Sequence, residues 1–293
     1  MIAIREYALD EPGGGPYAIT TGPDGALWYT LVHSGRIGRL VPGGEPSSHR
    51  LDPDCGPTII ALGPDGALWF TEFRAHRIGR ITTGGELTEY PLPTPECGPF
   101  GITAGPDGAL WFTETAADRI GRITVGGEVT EFPLPVTGGF PSAITAGGDG
   151  ALWFTLNQAN AIGRIDVEGT VAIHPLPTEA AAPVGIAAGD GALWFVEIAA
   201  GRIGRITHEG RITEYPLPDR EARPHAIVLD AAGTPWFTEW GGNRVGSIAP
   251  DGSVTGYELP TPGSEPHGIA LGPDGALWTA LEIGALARVT AGD

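Results

Sequence analysis

The sequence predicts an all-β fold, a seven-bladed β-propeller of four-stranded antiparallel blades, and three observations carry that expectation. Seven tryptophans, Trp28, Trp69, Trp111, Trp153, Trp194, Trp236 and Trp278, recur at intervals of 41 or 42 residues, each inside a variant of Gly-Pro-Asp-Gly-Ala-Leu-Trp-Phe-Thr. A period of about 40 to 45 residues built from strand-like segments is the signature of a propeller. Composition agrees, since 47 Gly, 28 Pro and only 18% charged residues suit many short strands and many turns. The ends of the chain supply the third observation. Ile4-Arg-Glu-Tyr-Ala-Leu9 repeats the outer-strand phrase Ile212-Thr-Glu-Tyr-Pro-Leu217, whereas the last unit ends at a third strand, Ala287-Arg-Val-Thr290. Residues 1–9 are therefore expected to supply the outer strand of blade 7, closing an otherwise exposed edge, with residues 1–293 forming one propeller domain.

The unit Pro99 to Pro135 shows the expected order of strands. Phe100-Gly-Ile-Thr-Ala is innermost, and Gly105-Pro-Asp-Gly108 is a turn with Pro at its first corner and Gly where φ must be positive. Ala109 to Glu114 alternates as a second strand, Arg119-Ile-Gly-Arg-Ile123 is a third, and Gly126-Gly127 turns the chain into an outer strand, Glu128 to Pro133, closed by prolines that suit an edge. One blade cannot bury both of its faces, so blades must stack around an axis, with large residues such as Trp111 and Ile102 filling the gaps. The repeated tryptophans thus read as core. Small residues such as Gly101, Ala143, Gly185, Ala226 and Gly268 recur two positions after the inner proline, where strands crowd near the axis.

A formal net charge of −18 with scattered arginines argues against nucleic acid as a partner. Most of the aspartates sit in turn signals and read as solvating. Met1 leads directly into strand-like sequence with no apolar leader, and no segment has the length of uninterrupted apolar residues a membrane span needs, so the expectation is a cytoplasmic protein without a membrane partner. Cys55 and Cys97 occupy equivalent places in successive repeats and are expected to be free thiols in that compartment.

Positions that serve packing alone should repeat, so the informative sites are those where the seven copies disagree. The residue after the inner-strand proline reads Tyr17, Thr58, Phe100, Ser142, Val184, His225 and His267. The start of every inner strand and the end of every second strand share one face, because the Pro-Asp-Gly turn joining them lies on the other. These residues should therefore ring one mouth of the central channel, with His225, His267 and Tyr17 adjacent once the ring closes. Two odd carboxylates fall on the same arc. Glu265 precedes Pro266 where other units have Gly15, Gly56, Gly98, Phe140, Ala182 and Arg223, and Trp278-Thr-Ala-Leu-Glu282 carries its acid one place later than the common Trp-Phe-Thr-Glu. Trp240, an extra aromatic after Glu239, lies on that face as a stacking platform or rim contact. The regular acids Glu72, Glu114, Glu197 and Glu239 are assigned to backbone or arginines between blades, and His33, His49, His76, His174 and His208 to the surface.

No zinc spacing, Gly-x-Ser-x-Gly elbow or phosphate loop is present. What remains is a neutral imidazole able to accept a proton near neutrality, and carboxylates suited to a hard cation such as Mg²⁺ whose other positions water and substrate would fill. Such a set suits removal of a proton beside a carbonyl, or metal-assisted hydrolysis of a lactone or ester. The fold alone also allows a non-enzymatic binding propeller.

Across essentially its whole length, in the Trp-Phe-Thr-Glu, Ile-Gly-Arg-Ile and Thr-Glu-Tyr-Pro-Leu-Pro phrases, Arg223-Pro-His225, Glu265-Pro-His267-Gly-Ile and Ala280-Leu-Glu282, the chain resembles the virginiamycin B lyase (streptogramin B lyase) family. The resemblance implies a Mg²⁺-dependent, monomeric carbon–oxygen lyase that linearises type B streptogramin cyclic depsipeptides at their threonyl ester by elimination, and so confers antibiotic resistance. It implies His267 as general base toward the threonyl α-proton and His225 as a substrate contact assisting the leaving carboxylate. Glu265 and Glu282 would hold Mg²⁺, and Tyr17 would line the same pocket.

Overall fold

The computed structural model describes residues 2–11, 13–189 and 191–291. Their 28 strands form seven four-stranded antiparallel sheets, so the expected propeller is the fold. Inner strands, among them Pro16–Thr21, Pro99–Ala104, Pro224–Leu229 and Pro266–Leu271, touch their neighbours all the way round, including the first against the last. Among the described residues no helix is long and apolar enough to cross a membrane.

Closure follows the expected route. Ile2–Ala8 pairs antiparallel with Ala285–Ala291 in the sheet that also holds Leu277–Leu281 and Pro266–Leu271. This strand reproduces the chemistry of an ordinary outer strand. Glu6 accepts hydrogen bonds from Thr261 N and Oγ1 at 3.1 and 2.5 Å, as Glu131 does from Thr94 and Glu214 from Thr178. Tyr7 lies over Trp278 at 5.1 Å between ring centroids, as Tyr90 lies over Trp69 and Phe132 over Trp111.

The core is divided into seven clusters, one per junction between blades. Each tryptophan packs against the Ile and aromatic or Leu side chains of the next blade: Trp28 meets Ile60, Leu68 and Phe70, and Trp278 meets Ile19, Leu27 and Tyr29. In six of the seven the indole N–H donates to the turn aspartate, as Trp111 does to Asp107 at 3.0 Å, while Arg122 donates to the same carboxylate at 2.6 Å. These turn aspartates are thus structural acceptors and not only solvating charges. The Ile-Gly-Arg-Ile glycine has an equally local cause. In six blades a Cβ there would collide with the aromatic ring opposite, as Gly121 shows with Phe112. Blade 7 carries Thr279 in place of that ring, and its partner is Ala287.

His49 and His174 are corrected from simple surface positions, since they stack on Trp28 and Trp153 at 5.7 and 5.6 Å in the place of outer-strand aromatics. Cys55 and Cys97 are buried and unpaired, and burial pushes both thiols up to about 12.

Candidate active site

One backbone device builds the mouth of every blade. The residue before the inner proline is left-handed in all seven, with φ from +50° at Glu265 and Arg223 to +63° at Gly15. Its carbonyl accepts the N–H of the residue that follows the second strand: Val32 to Gly15 at 3.0 Å, Trp240 to Arg223 at 3.1 Å, Glu282 to Glu265 at 3.3 Å. Glycine suits the position, and a side chain there costs on the order of 1 kcal/mol. Blade 7 bears that cost with glutamates at both members of the pair, which sets Glu265 and Glu282 on adjacent backbone.

The predicted arc is assembled around the channel axis. The Tyr17 hydroxyl lies 3.3 Å from His225 Nε2, although 208 residues separate them. Ring centroids are 4.6 Å apart for Tyr17 and His267, 4.7 Å for His225 and His267, and 5.6 Å for Tyr17 and His225, so the three rings touch mutually. Trp240 is farther out, 6.5 Å from His267, with Arg223 lying 5.5 Å above its ring. Beneath the rings a cavity of about 260 Å³ follows the axis, lined mostly by apolar inner-strand residues and by Tyr17, Phe100, Ser142, Val184 and His225 from the variable position.

His267 Nε2 lies 2.6 Å from Glu282 Oε2. An ionised carboxylate can only accept, so Nε2 carries the hydrogen and Nδ1 keeps the lone pair. Nδ1 is buried with no hydrogen-bond partner, and so is Nδ1 of His225. Burial, outweighing the attraction of Glu282, lowers the His267 pKa below the ordinary histidine value. Burial and the neighbouring His267 push His225 down to about 3. Both imidazoles are therefore neutral at physiological pH. Burial raises Tyr17, with Glu282 adding to the effect, so its hydroxyl stays protonated. Burial opposes the charge on Glu282, but hydrogen bonds from His33 and His267 outweigh it and hold the carboxyl below its usual range.

His33 is the site residue that sequence reasoning missed. Its Nε2 lies 2.7 Å from Glu282 Oε1, so Glu282 is held between imidazoles of blades 1 and 7. The assignment of His33 to the surface is half right, because its side chain is 49% exposed. Gly15 makes room for it, since a Cβ there would collide with the ring. The expected pairings of the regular acids are also corrected. Glu72 and Glu239 pair with Arg77 and Arg244 of their own blades at 3.1 and 2.7 Å. Glu114 and Glu197 are fully buried and bond neither backbone nor arginine; each faces a second carboxylate, Glu131 or Glu214, to which its protonated form can donate. Burial, with Glu131 and Glu214 close by, pushes both up to about 8.

Glu265 is exposed, and it lines a shallow cleft with Arg223, Trp240 and Asn243 beside the ring cluster. The donors offered by Glu265 and Glu282 are hard carboxylate oxygens of the type Mg²⁺ takes, and their backbones are hydrogen-bonded neighbours. Two protein carboxylates leave most of an octahedral shell to water and ligand, and among the described residues no group of three or more His, Cys, Asp and Glu is placed to hold a metal ion. The chemistry of the donor set therefore fits Mg²⁺ in an open site.

Comparison with known proteins bears on this constellation. The model of the virginiamycin B lyase family matches residues 2–289. A curated virginiamycin B lyase from Saccharopolyspora erythraea is 67% identical over 53 residues, a stretch that spans 18% of this chain and 18% of that relative. Among solved structures, one described as a streptogramin B lyase has 45% identity and a TM-score of 0.95, covering 99% of this chain and 97% of its own. A catalytically inactive His-to-Ala variant of virginiamycin B lyase from Staphylococcus aureus, solved with quinupristin, has 42% identity and a TM-score of 0.96, covering 99% of this chain and 100% of its own. With a family model spanning nearly the whole chain and solved relatives superposing along its full length, the chain belongs to the virginiamycin B lyase family.

Proposed function

We propose that the protein is a Mg²⁺-dependent lyase that opens type B streptogramin depsipeptides at the threonyl ester by elimination, as a cytoplasmic monomer conferring resistance. The observation that carries the reading is the His267–Glu282 pair at 2.6 Å, packed against His225 and Tyr17 at one mouth of the channel. The quinupristin bound to a histidine variant of a relative supports the ligand class and the need for an imidazole.

In this reading His267 takes the α-proton of the threonyl residue on its free imidazole lone pair. Glu282 orients the ring through the Nε2 hydrogen and stabilises the imidazolium as it forms, as the carboxylate of a catalytic triad does. The depressed His267 pKa keeps the base unprotonated but also weakens it, so the charge from Glu282 matters most as the proton arrives. His225 cannot act as an imidazolium acid when its pKa is near 3, and it serves instead as a neutral hydrogen-bonding group toward the departing carboxylate, steadied by Tyr17. Mg²⁺ held by Glu265 and Glu282 would polarise a substrate carbonyl, worth several kcal/mol toward an α-carbanion that imidazole could not generate unaided. Trp240 and the apolar channel mouth exclude water from the reacting bond and favour the apolar face of a macrocycle.

Incubation of purified protein with a type B streptogramin, with and without EDTA, tests the reading. Conversion that EDTA abolishes and added Mg²⁺ restores is expected. An antibiotic left intact with Mg²⁺ present would overturn it.

A further inference from the structure

The blades disagree at one more buried position, and the disagreement falls beneath the active-site rings. Every inner strand has a register irregularity between its first and fourth residues, which takes the intervening amide and carbonyl out of the ladder. In five blades a fully buried threonine two places after the tryptophan repairs this: Thr30, Thr71, Thr113, Thr155 and Thr238. Each hydroxyl accepts from the bulged amide of its own blade and donates to a carbonyl of the next. Thr113 accepts from Gly101 N at 2.9 Å and donates to Ser142 O at 2.6 Å, and Thr238 accepts from Ala226 N at 3.0 Å and donates to His267 O at 2.8 Å. Buried backbone groups need such partners, so the threonine ties are a regular part of the ring.

Two blades lack the tie. Blade 5 has Val196 at this position and blade 7 has Ala280, both fully buried. The threonine of blade 7 stands one place earlier, and Thr279 donates to Gly268 O of its own blade at 2.9 Å. The carbonyls facing the two untied junctions are those of His225 and Tyr17. A Cβ on Gly185 would lie 2.7 Å from His225 O, and one on Gly268 would lie 2.8 Å from Tyr17 O. These are the two residues whose side chains meet at 3.3 Å. His267, by contrast, keeps its tie.

His267 Nδ1 is buried, the rings of Tyr17 and His225 pack against His267 at 4.6 and 4.7 Å between centroids, and the cavity of about 260 Å³ is small for a macrocycle. A ligand that reaches the buried lone pair of His267 therefore has to displace a ring packed against it, and Tyr17 and His225 are the rings in direct contact. We infer that Val196 and Ala280 are positioning residues: by withholding a hydroxyl they leave the backbones beneath His225 and Tyr17 mobile enough to admit substrate, while Thr238 pins His267. The inference rests on the lyase reading for its kinetic readout and on backbone dynamics for the rest.

Amide exchange of the folded protein reads the ties directly. Gly185 and Gly268 are expected to exchange at least about tenfold faster than Ala18, Gly101 and Ala143, whose equivalent amides are tied. Val196→Thr is nearly isosteric and should slow Gly185 exchange into the tied range, raise Tm by about 2–4 °C, and lower kcat by about tenfold. Thr113→Val, far from the mouth, should lower Tm and leave kcat unchanged. Slow exchange at Gly185 and Gly268 in the unmodified protein would overturn the inference. So would a Val196→Thr protein that gains protection and Tm yet keeps its kcat within twofold. Should the unmodified protein leave a type B streptogramin intact, the lyase reading fails, while exchange and Tm still judge the ties.

Discussion

Replacing Glu114 and Glu197 by glutamine should flatten the pH dependence of stability, and the size of the effect follows from their burial. Both side chains are fully buried, neither bonds backbone or arginine, and each stands close to a second carboxylate, Glu131 or Glu214, to which its protonated form can donate. Their folded pKa of about 8 lies above the ordinary 4.5. Between those values the folded chain holds a proton that the unfolded chain has released. Stability from each carboxyl is therefore complete below pH 4.5 and is lost as pH rises through about 8. Each carboxyl gives a slope of about 1.4 kcal/mol per pH unit, so the two together can remove up to about 4 kcal/mol between about pH 6.5 and 8. The histidines whose pKa values are depressed, His49, His174, His225 and His267, take up protons on unfolding around the ordinary 6.5 and oppose this slope there, an effect that fades above about pH 7 and leaves the carboxyls dominant. Urea denaturation at several pH values is the assay. The unmodified protein should lose denaturation midpoint steadily from about pH 7 to 8, and Glu114→Gln with Glu197→Gln should lose much less. A midpoint that stays constant or rises over this range in the unmodified protein would refute the reasoning.

His267→Ala should abolish turnover while leaving antibiotic binding within a few fold, measured by calorimetry beside kinetics. His33→Ala should lower kcat by about 10-fold or more through loss of a charge-assisted hydrogen bond to Glu282, with partial recovery in His33→Asn. Because burial lowers the His267 pKa, kcat/KM should hold as pH falls through 6.5 and decline only below it, when the base becomes protonated. Deleting residues 1–9 removes a seven-residue strand and the Glu6–Thr261 and Tyr7–Trp278 contacts. Thermal melting should then show a loss of more than about 10 °C, or a chain that no longer folds.

Much of this architecture is legible in the sequence because the chain repeats itself. The tryptophan period marks the blades, and the kinship of Ile4–Leu9 with Ile212–Leu217 foretells the closing strand and its partner. His225, His267 and Tyr17 stand out because their position varies among neighbours that do not. His33 gives no such contrast. The equivalent residues are Arg74, Ala116, Gln158, Ala199, Gly241 and Ile283, so a histidine among them signals nothing until the ring closes and brings it to Glu282. The carboxyl pairs are hidden for a related reason: Glu114 and Glu131 lie on strands separated by a third, and only the register through Arg119–Ile123 brings them together. The untied junctions are visible as Val196 and Ala280 once the threonine ties are known, but the ties themselves join different blades and have no local motif.

Proton removal by His267 and attack by water break the ester at different bonds. Conversion of a type B streptogramin in heavy-oxygen water, followed by mass spectrometry of the linear product, reads this in one measurement. Elimination driven by His267 predicts a product isomeric with the antibiotic and free of heavy oxygen. A product heavier by one water and carrying the label would mean hydrolysis, and would contradict the assignment of His267 as a base that removes a proton from carbon.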